Sequence, residues 1–303
     1  DKYGTPGELS WEQIQEQNEP LTQLEPADPE ELISIIYTSG TTGMPKGVMH
    51  SIRNFANATY NLNYDIHLVK HPRFFSYLPL SHIAERIGIE NQAFLLGASI
   101  TFADTLDSFA SDLEATQPDL FFAVPRIWAK FQEKIREGLP QKKLNVLLKV
   151  PLLGKILKNN IRQKLGLSKA KYIVSGAAPL SVDLMNWFKT LDIEILQGYG
   201  MTEDCVISHL NLPTVNKIGS VGRKTHGAQA KLSSDGEICV KNDCLMLGYY
   251  KLPEETAKIF DPEGFLRTGD VGEYDHDGYL FITGRAKDQF KTDKGKYISP
   301  GPI

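Results

Sequence analysis

The chain has 303 residues, 41% of them hydrophobic and 23% charged, which suits a globular fold with room for a large core or two domains. A net charge of -4 argues against a nucleic-acid binder, because phosphates call for a basic surface. The three cysteines, Cys205, Cys239 and Cys244, lack CxxC spacing and point to a reduced, intracellular protein without a zinc site.

The polar opening Asp1-Lys2-Tyr3-Gly4 carries no signal-peptide pattern. No apolar run reaches the roughly 20 residues that a bilayer requires. The longest, 144–157, is interrupted by Lys149 and Lys155, so a soluble cytoplasmic protein is expected. Residues 1–30, with Pro6, Pro20, Pro26 and Pro29, read as a polar lead-in. A first strand is predicted at 32–37, running straight into a Gly/Thr/Ser loop. Further strands are predicted at 74–78, 99–102, 120–124, 171–174 and 193–196, with helices at 126–137 and 182–190 between them. Short apolar strands alternating with helices predict an α/β region with a parallel sheet over 31–210. From 211 to 283, short β runs separated by Ser234-Asp235-Gly236 and Asp277-Gly278 predict a β-rich subdomain. Residues 284–303 read as a hinge leading into a linker.

The loop Tyr37-Thr38-Ser39-Gly40-Thr41-Thr42-Gly43-Met44-Pro45-Lys46-Gly47 is the strongest chemical signal. Glycines let backbone N–H groups approach a phosphate closely. Hydroxyls add donors, and Lys46 adds charge. It is not a Walker A loop, since Pro45 stands where that motif has glycine, and the Rossmann GxGxxG is absent. A plain polar turn is the alternative for the loop taken alone.

This loop resembles the phosphate-binding signature of the adenylate-forming superfamily, which includes acyl-CoA synthetases, luciferase and peptide-synthetase adenylation domains. The chain carries further motifs of that family in order. Ser76-Tyr77-Leu78-Pro79-Leu80-Ser81-His82 resembles its second motif and implies that His82 lies near the acyl substrate, although a lone histidine is more often a satisfied core residue. Val124-Pro125-Arg126-Ile127-Trp128 is similar to the gate of long-chain synthetases, which makes Trp128 the gate; a core tryptophan is the alternative. Gly176-Ala177-Ala178 would border adenine. In Gln197-Gly198-Tyr199-Gly200-Met201-Thr202-Glu203, the resemblance implies that Tyr199 stacks on the base, Thr202 bonds the α-phosphate and Glu203 holds Mg²⁺. Asp204 departs from the family, which commonly has Thr or Ser there, and adds a negative charge beside that metal site. Asp270 and Arg285 would take the ribose, although a turn aspartate is common. Asp288 would be the hinge, with Lys291 in the same motif. The ending Gly295-Lys296-Tyr297-Ile298-Ser299-Pro300 looks most like long-chain acyl-CoA synthetases.

The resemblance thus implies the large domain of an adenylate-forming enzyme, truncated at both ends: α/β layers, then a distorted β-barrel. The activity it implies is a long-chain fatty acid–CoA ligase that uses ATP, Mg²⁺ and coenzyme A. In that family the lysine that completes adenylation belongs to a small C-terminal domain, so this chain is expected to be impaired alone. Two alternatives stand beside this one: a non-catalytic nucleotide-binding fragment, and another adenylating enzyme, amino-acid-activating or luciferase-like. No Gly-x-Ser-x-Gly elbow suggests an acyl-enzyme. Residues 138–182 contain no acidic side chain, and the lysines of 142–171 alternate with Leu and Ile. This stretch reads either as a membrane-surface contact or, preferred from sequence alone, as a solvated or packed helix face.

Overall fold

A computed structural model describes residues 10–20, 26–38, 44–288, 290–291 and 297–298. The main sheet has seven strands: β3 (Arg73–Ser76), β4 (Ser99–Phe102), β5 (Leu120–Ala123), β6 (Tyr172–Ser175), β7 (Leu196–Tyr199), β8 (His209–Leu210) and β9 (Arg223–Lys224). Their spatial order is β4-β3-β5-β6-β7-β8-β9. The first five pair in parallel, and β8 and β9 continue antiparallel.

The alternation of side chains along each strand feeds two cores. Phe75, Phe121 and Ile173 point into one cluster, which includes Trp128 and Phe131 of helix Pro125–Gly138 and Trp187 and Phe188 of helix Val182–Lys189. Their neighbours Phe74, Leu120 and Tyr172 point into the opposite cluster, against Ile66 and Ile89. Both faces are therefore covered, which explains why these strands are almost continuously apolar. Each fully buried aromatic or Leu/Ile side chain contributes about 1.5–3 kcal/mol relative to exposure.

Helix boundaries follow local chemistry. Ser51 and Asn54 form a reciprocal capping box at the start of helix Ile52–Ile66. Pro125 and Pro151 open helices Pro125–Gly138 and Pro151–Lys164, where a missing N–H costs nothing.

A three-stranded antiparallel sheet joins β1 (Leu32–Thr38), β2 (Lys46–Ser51) and β12 (Gly248–Tyr249) in the order β1-β2-β12. A four-stranded antiparallel sheet has the order β10-β11-β13-β14, from β10 (Gln229–Leu232), β11 (Glu237–Lys241), β13 (Leu266–Tyr274) and β14 (Leu280–Arg285). The turns anticipated for this region form. Gly236 has φ +78° and Gly278 has φ +80°, and Asp275 accepts from the N–H groups of Asp277 and Tyr279.

Two sequence expectations differ from the fold. The first strand does not open the parallel sheet. The seven residues between β1 and β2 are too few for a parallel crossover, which needs a dozen or more, so the pair closes as a hairpin. The strand predicted at 193–196 instead occupies Leu196–Tyr199. Ile193 and Ile195 are buried, but as core filling ahead of the strand, whose register pairs Val174 with Leu196 and Ser175 with Gln197. The three cysteines are free and buried. Among the described residues no helix is long and apolar enough to cross a membrane.

Candidate functional site

Parallel strands end on the same edge of their sheet, and in open α/β sheets that carboxyl edge is where ligands bind. The segments following β3, β5, β6 and β7 all leave from it. They carry His82, Trp128, Gly176-Ala177-Ala178 and the turn 199–205. Ala177 has φ +66°, an uncommon left-handed backbone for a residue with a Cβ. Gly176 sits 3.2 Å, measured from an added Cβ, from the Phe122 ring, so the backbone there packs flat.

The seven-, three- and four-stranded sheets meet on the turn 199–205. Gly200 is obligatory in it: a Cβ would lie 2.4 Å from Val206 Cα. At Gly198 a Cβ would lie 3.2 Å from Leu210 and 3.6 Å from the His209 carbonyl. Thr202 offers its carbonyl oxygen to His50 Nε2 of β2 at 2.8 Å. His50 Nδ1 lies 3.4 Å from Cys205 Sγ, so Nε2 carries the proton and Nδ1 faces the thiol. Burial holds this imidazole down to about 4, hence neutral.

Glu203 is buried, and its Oε1 accepts a 2.7 Å hydrogen bond from Tyr249 of β12. Its backbone carbonyl accepts from the Met246 N–H at 2.8 Å. Burial, then the neighbouring Glu203 carboxylate, pushes the Tyr249 hydroxyl well up, so it stays a donor. Asp204 is fully buried. Its Oδ1 accepts from the Met201 N–H at 2.8 Å, whereas Oδ2 has no partner. Burial raises its carboxyl to about 7, so the extra negative charge anticipated from sequence is partly neutralised by a proton.

Asp270 of β13 faces this turn. Its Oδ2 accepts from Tyr199 Oη at 2.7 Å, and its Oδ1 lies 2.9 Å from Arg285 Nε across the β13–β14 pair. Burial raises the Asp270 carboxyl, while Tyr199 and Arg285 pull it back down. Tyr199 is itself pushed well up by burial and remains protonated.

Lys46 begins β2. Its Nζ lies 2.8 Å from Glu255 Oε2 and 4.9 Å from the centre of the Tyr249 ring. Lys258 and Lys46 hold the Glu255 carboxyl down to about 2. Tyr249 thus touches both Lys46 and Glu203. Thr38 ends β1, opposite Lys46 in the hairpin register. Ser39, Gly40, Thr41, Thr42 and Gly43, between them, lie outside the described residues, as do the side chains of Asp288 and Lys291.

Two predicted site residues stand apart from this cluster. His82 caps a short helix, its Nδ1 accepting from the Ala84 N–H at 3.3 Å, and burial lowers its pKa. Trp128 is fully buried, donates to the Ala123 carbonyl at 3.2 Å, and packs edge-on against Phe121, Phe131 and Phe188. As placed, it is part of the main core.

Sequence reasoning missed His50, Tyr249 and Glu255. One signal was legible for the first. His50 is two positions beyond Val48 and four beyond Lys46, on the same face of a strand, and a polar residue on such a face needs a partner. Among the described residues no group of three or more His, Cys, Asp or Glu side chains could hold a metal ion. The donor set fits a cation carried by phosphates, which needs one or two carboxylates: Glu203 Oε2 has no hydrogen-bond partner among the described residues.

The chain is 31% identical over 305–345 aligned positions to relatives such as the long-chain-fatty-acid–CoA ligase ACSBG2 of Gallus gallus, where the alignment covers 100% of this chain and 45% of that protein. It is 32% identical to the long-chain-fatty-acid–CoA ligase ACSBG1 of Bos taurus, with 91% of this chain and 43% of that one covered. A solved fatty acyl CoA synthetase of Mycobacterium tuberculosis superposes with a TM-score of 0.69 and 27% identity, over 95% of this chain and 55% of that one. The chain therefore spans about half the length of the curated relatives it matches. A family model described as AMP-binding enzyme matches residues 3–250. By that match, over most of its length, the chain belongs to the AMP-binding enzyme family.

Proposed function

We propose that this chain supplies the nucleotide-binding part of an AMP-forming fatty acid–CoA ligase. The observation that carries this reading is the turn 199–205, whose Thr202 and Glu203 are fixed from behind by His50 and Tyr249 while Tyr199 joins Asp270 and Arg285. The fatty-acid relatives support the acid substrate.

In the reaction, a carboxylate oxygen attacks the α-phosphorus of ATP and the bond to pyrophosphate breaks, giving acyl-AMP. A thiol of coenzyme A then attacks the acyl carbon, loses its proton, and AMP leaves. Several negative groups meet in the first step, so cations and N–H donors must oppose their repulsion. Lys46 takes the phosphate tail with Thr38 and the loop 39–43, and exchanges Glu255 for phosphate as it does so. Thr202 bonds the α-phosphate. Asp270 and Arg285 take the ribose hydroxyls, and Gly176-Ala177-Ala178 with Tyr199 border the base. When bound, Mg²⁺ would screen phosphate charge, and Glu203 would hold it. His82, kept neutral by burial, would face the acid. Trp128 acts as the gate only if nucleotide binding draws it out of its core packing, and Asp288 serves as the hinge.

Calorimetry with magnesium-ATP, followed by mass spectrometry of acyl-AMP across a panel of fatty acids, tests the reading. Magnesium-dependent ATP binding is expected. No heat of binding from folded protein would overturn the nucleotide assignment. Binding with adenylation of amino acids in place of fatty acids would overturn the substrate class.

A further inference from the structure

Helices Gln141–Leu148 and Pro151–Lys164 form a hairpin whose tip exposes aliphatic side chains that no element among the described residues covers. Their inner faces are accounted for: Leu144 is fully buried, Gly154 packs on the Leu148 backbone, and Leu157 and Ile161 lie against the main core. The outer side is not what a solvated helix presents. Val146, Val150, Leu152, Leu153 and Ile156 are 43–72% exposed and cluster around the turn between the helices. On a helix beginning at Pro151, Leu152 and Ile156 are four residues apart and share one face, with Leu153 beside them.

Lys142, Lys143, Lys149 and Lys155 are interleaved with these residues and exposed. Among the described residues none of the four has a carboxylate partner, in contrast to Lys158, which pairs with Asp192. No acidic residue occurs from 138 to 182. We infer that this hairpin tip is a docking surface for an anionic lipid membrane, its aliphatic side chains entering the headgroup boundary and its lysines meeting lipid phosphates and carboxylates. The inference is independent of the chemistry proposed above, since no residue of the nucleotide cluster takes part.

The composition favours lipid over a protein partner. Protein interfaces are enriched in aromatic residues, methionine and arginine at their centres and depleted in lysine. Residues 141–156 of this tip contain no aromatic residue, methionine or arginine, and their exposed side chains are mainly aliphatic residues and lysines. Lipid surfaces select that combination, with apolar side chains shallowly inserted and lysine stems reaching out along them. Each lysine near an anionic surface strengthens partitioning about fivefold.

Co-sedimentation of the protein with vesicles tests the inference. Phosphatidylcholine vesicles are compared with vesicles also containing phosphatidylserine, at low and high salt. Salt-sensitive binding to the anionic vesicles is expected. The exposed charge variant Lys149→Gln/Lys155→Gln should bind about tenfold or more weakly. Leu152→Asp/Leu153→Asp should stay in the supernatant while keeping the parent's thermal unfolding midpoint. The inference falls if the parent binds neither vesicle, if it binds both equally, or if the charge variant binds as the parent does. Self-association that these substitutions abolish, without vesicle binding, would assign the tip to a second copy of the chain instead.

Discussion

His50 and Thr202 are 152 residues apart in the chain, yet His50 Nε2 reaches the Thr202 carbonyl oxygen at 2.8 Å. The contact joins the hairpin sheet to the turn after β7. It sets the carbonyl direction of the residue assigned to the α-phosphate. The imidazole is neutral, because Nδ1 faces the Cys205 thiol and the ring is fully buried.

Acid should act against that neutrality. His50 is held down to about 4 and His209 to about 3, both by burial. Unfolded histidines take up a proton near 6.5, so below that pH the unfolded chain binds more protons than the fold. Each histidine then removes up to about 1.4 kcal/mol of stability per pH unit, until its folded value is reached. Asp204 acts in the opposite sense. Its folded value of about 7 exceeds the ordinary 3.8, so it favours the fold at low pH, and that benefit is lost as pH rises toward 7. Urea midpoints at pH 6.5 and 4.5 should show a fall in the parent, a shallower fall in His209→Asn and a steeper one in Asp204→Asn. Equal slopes in all three would refute these assignments.

Lys46 is paired with Glu255. Lys46→Met should therefore abolish measurable magnesium-ATP binding, while Glu255→Gln, which releases the ammonium, should tighten it about two- to fivefold. Titration calorimetry distinguishes the two. Weaker binding by Glu255→Gln would mean that the carboxylate aids the ligand instead of competing with it.

Tyr249 orients Glu203 through one 2.7 Å hydrogen bond. Removing an outer partner of a metal-holding carboxylate commonly lowers metal affinity tenfold or more. Tyr249→Phe should raise the Mg²⁺ concentration needed for half-maximal ATP binding by about tenfold. The same measurement with Glu203→Gln should show a larger shift. No shift in either variant removes Glu203 from the metal role.

Gly200→Ala adds one methyl group and changes no polar group, but it would place that carbon 2.4 Å from Val206 Cα. Backbone on both sides must then move. Nucleotide affinity should fall by at least tenfold while the far-UV circular dichroism of the main sheet persists. Unchanged affinity would show that the turn tolerates a different path.

Much of this site was legible before the fold was known, because its signals are local. Glycines around Tyr199, the Pro45-Lys46 step and the apolar runs of β3, β5 and β6 are all read within a few residues. What stayed hidden depends on closure across long distances. Lys46 and Glu255 are 209 residues apart, and Tyr249 reaches Glu203 across 46. No spacing rule foretells such partners. The first strand was mis-grouped because its apolar run looks like those of the parallel sheet; only the brevity of the loop to β2 distinguishes it. Trp128 shows the opposite case, a motif residue that the fold uses as packing.

The strand β2 has one further consequence. Lys46 and His50 stand on one face of it, four residues apart, which sets their Cα atoms about 13 Å from each other. On the function proposed above, one end would address the phosphate tail of the nucleotide and the other the turn that meets its middle. The strand is thus a ruler, calibrated by pleat geometry and not by side-chain choice. Deleting a single residue between 47 and 49 would rotate one of the two out of alignment, and no substitution elsewhere could restore the spacing.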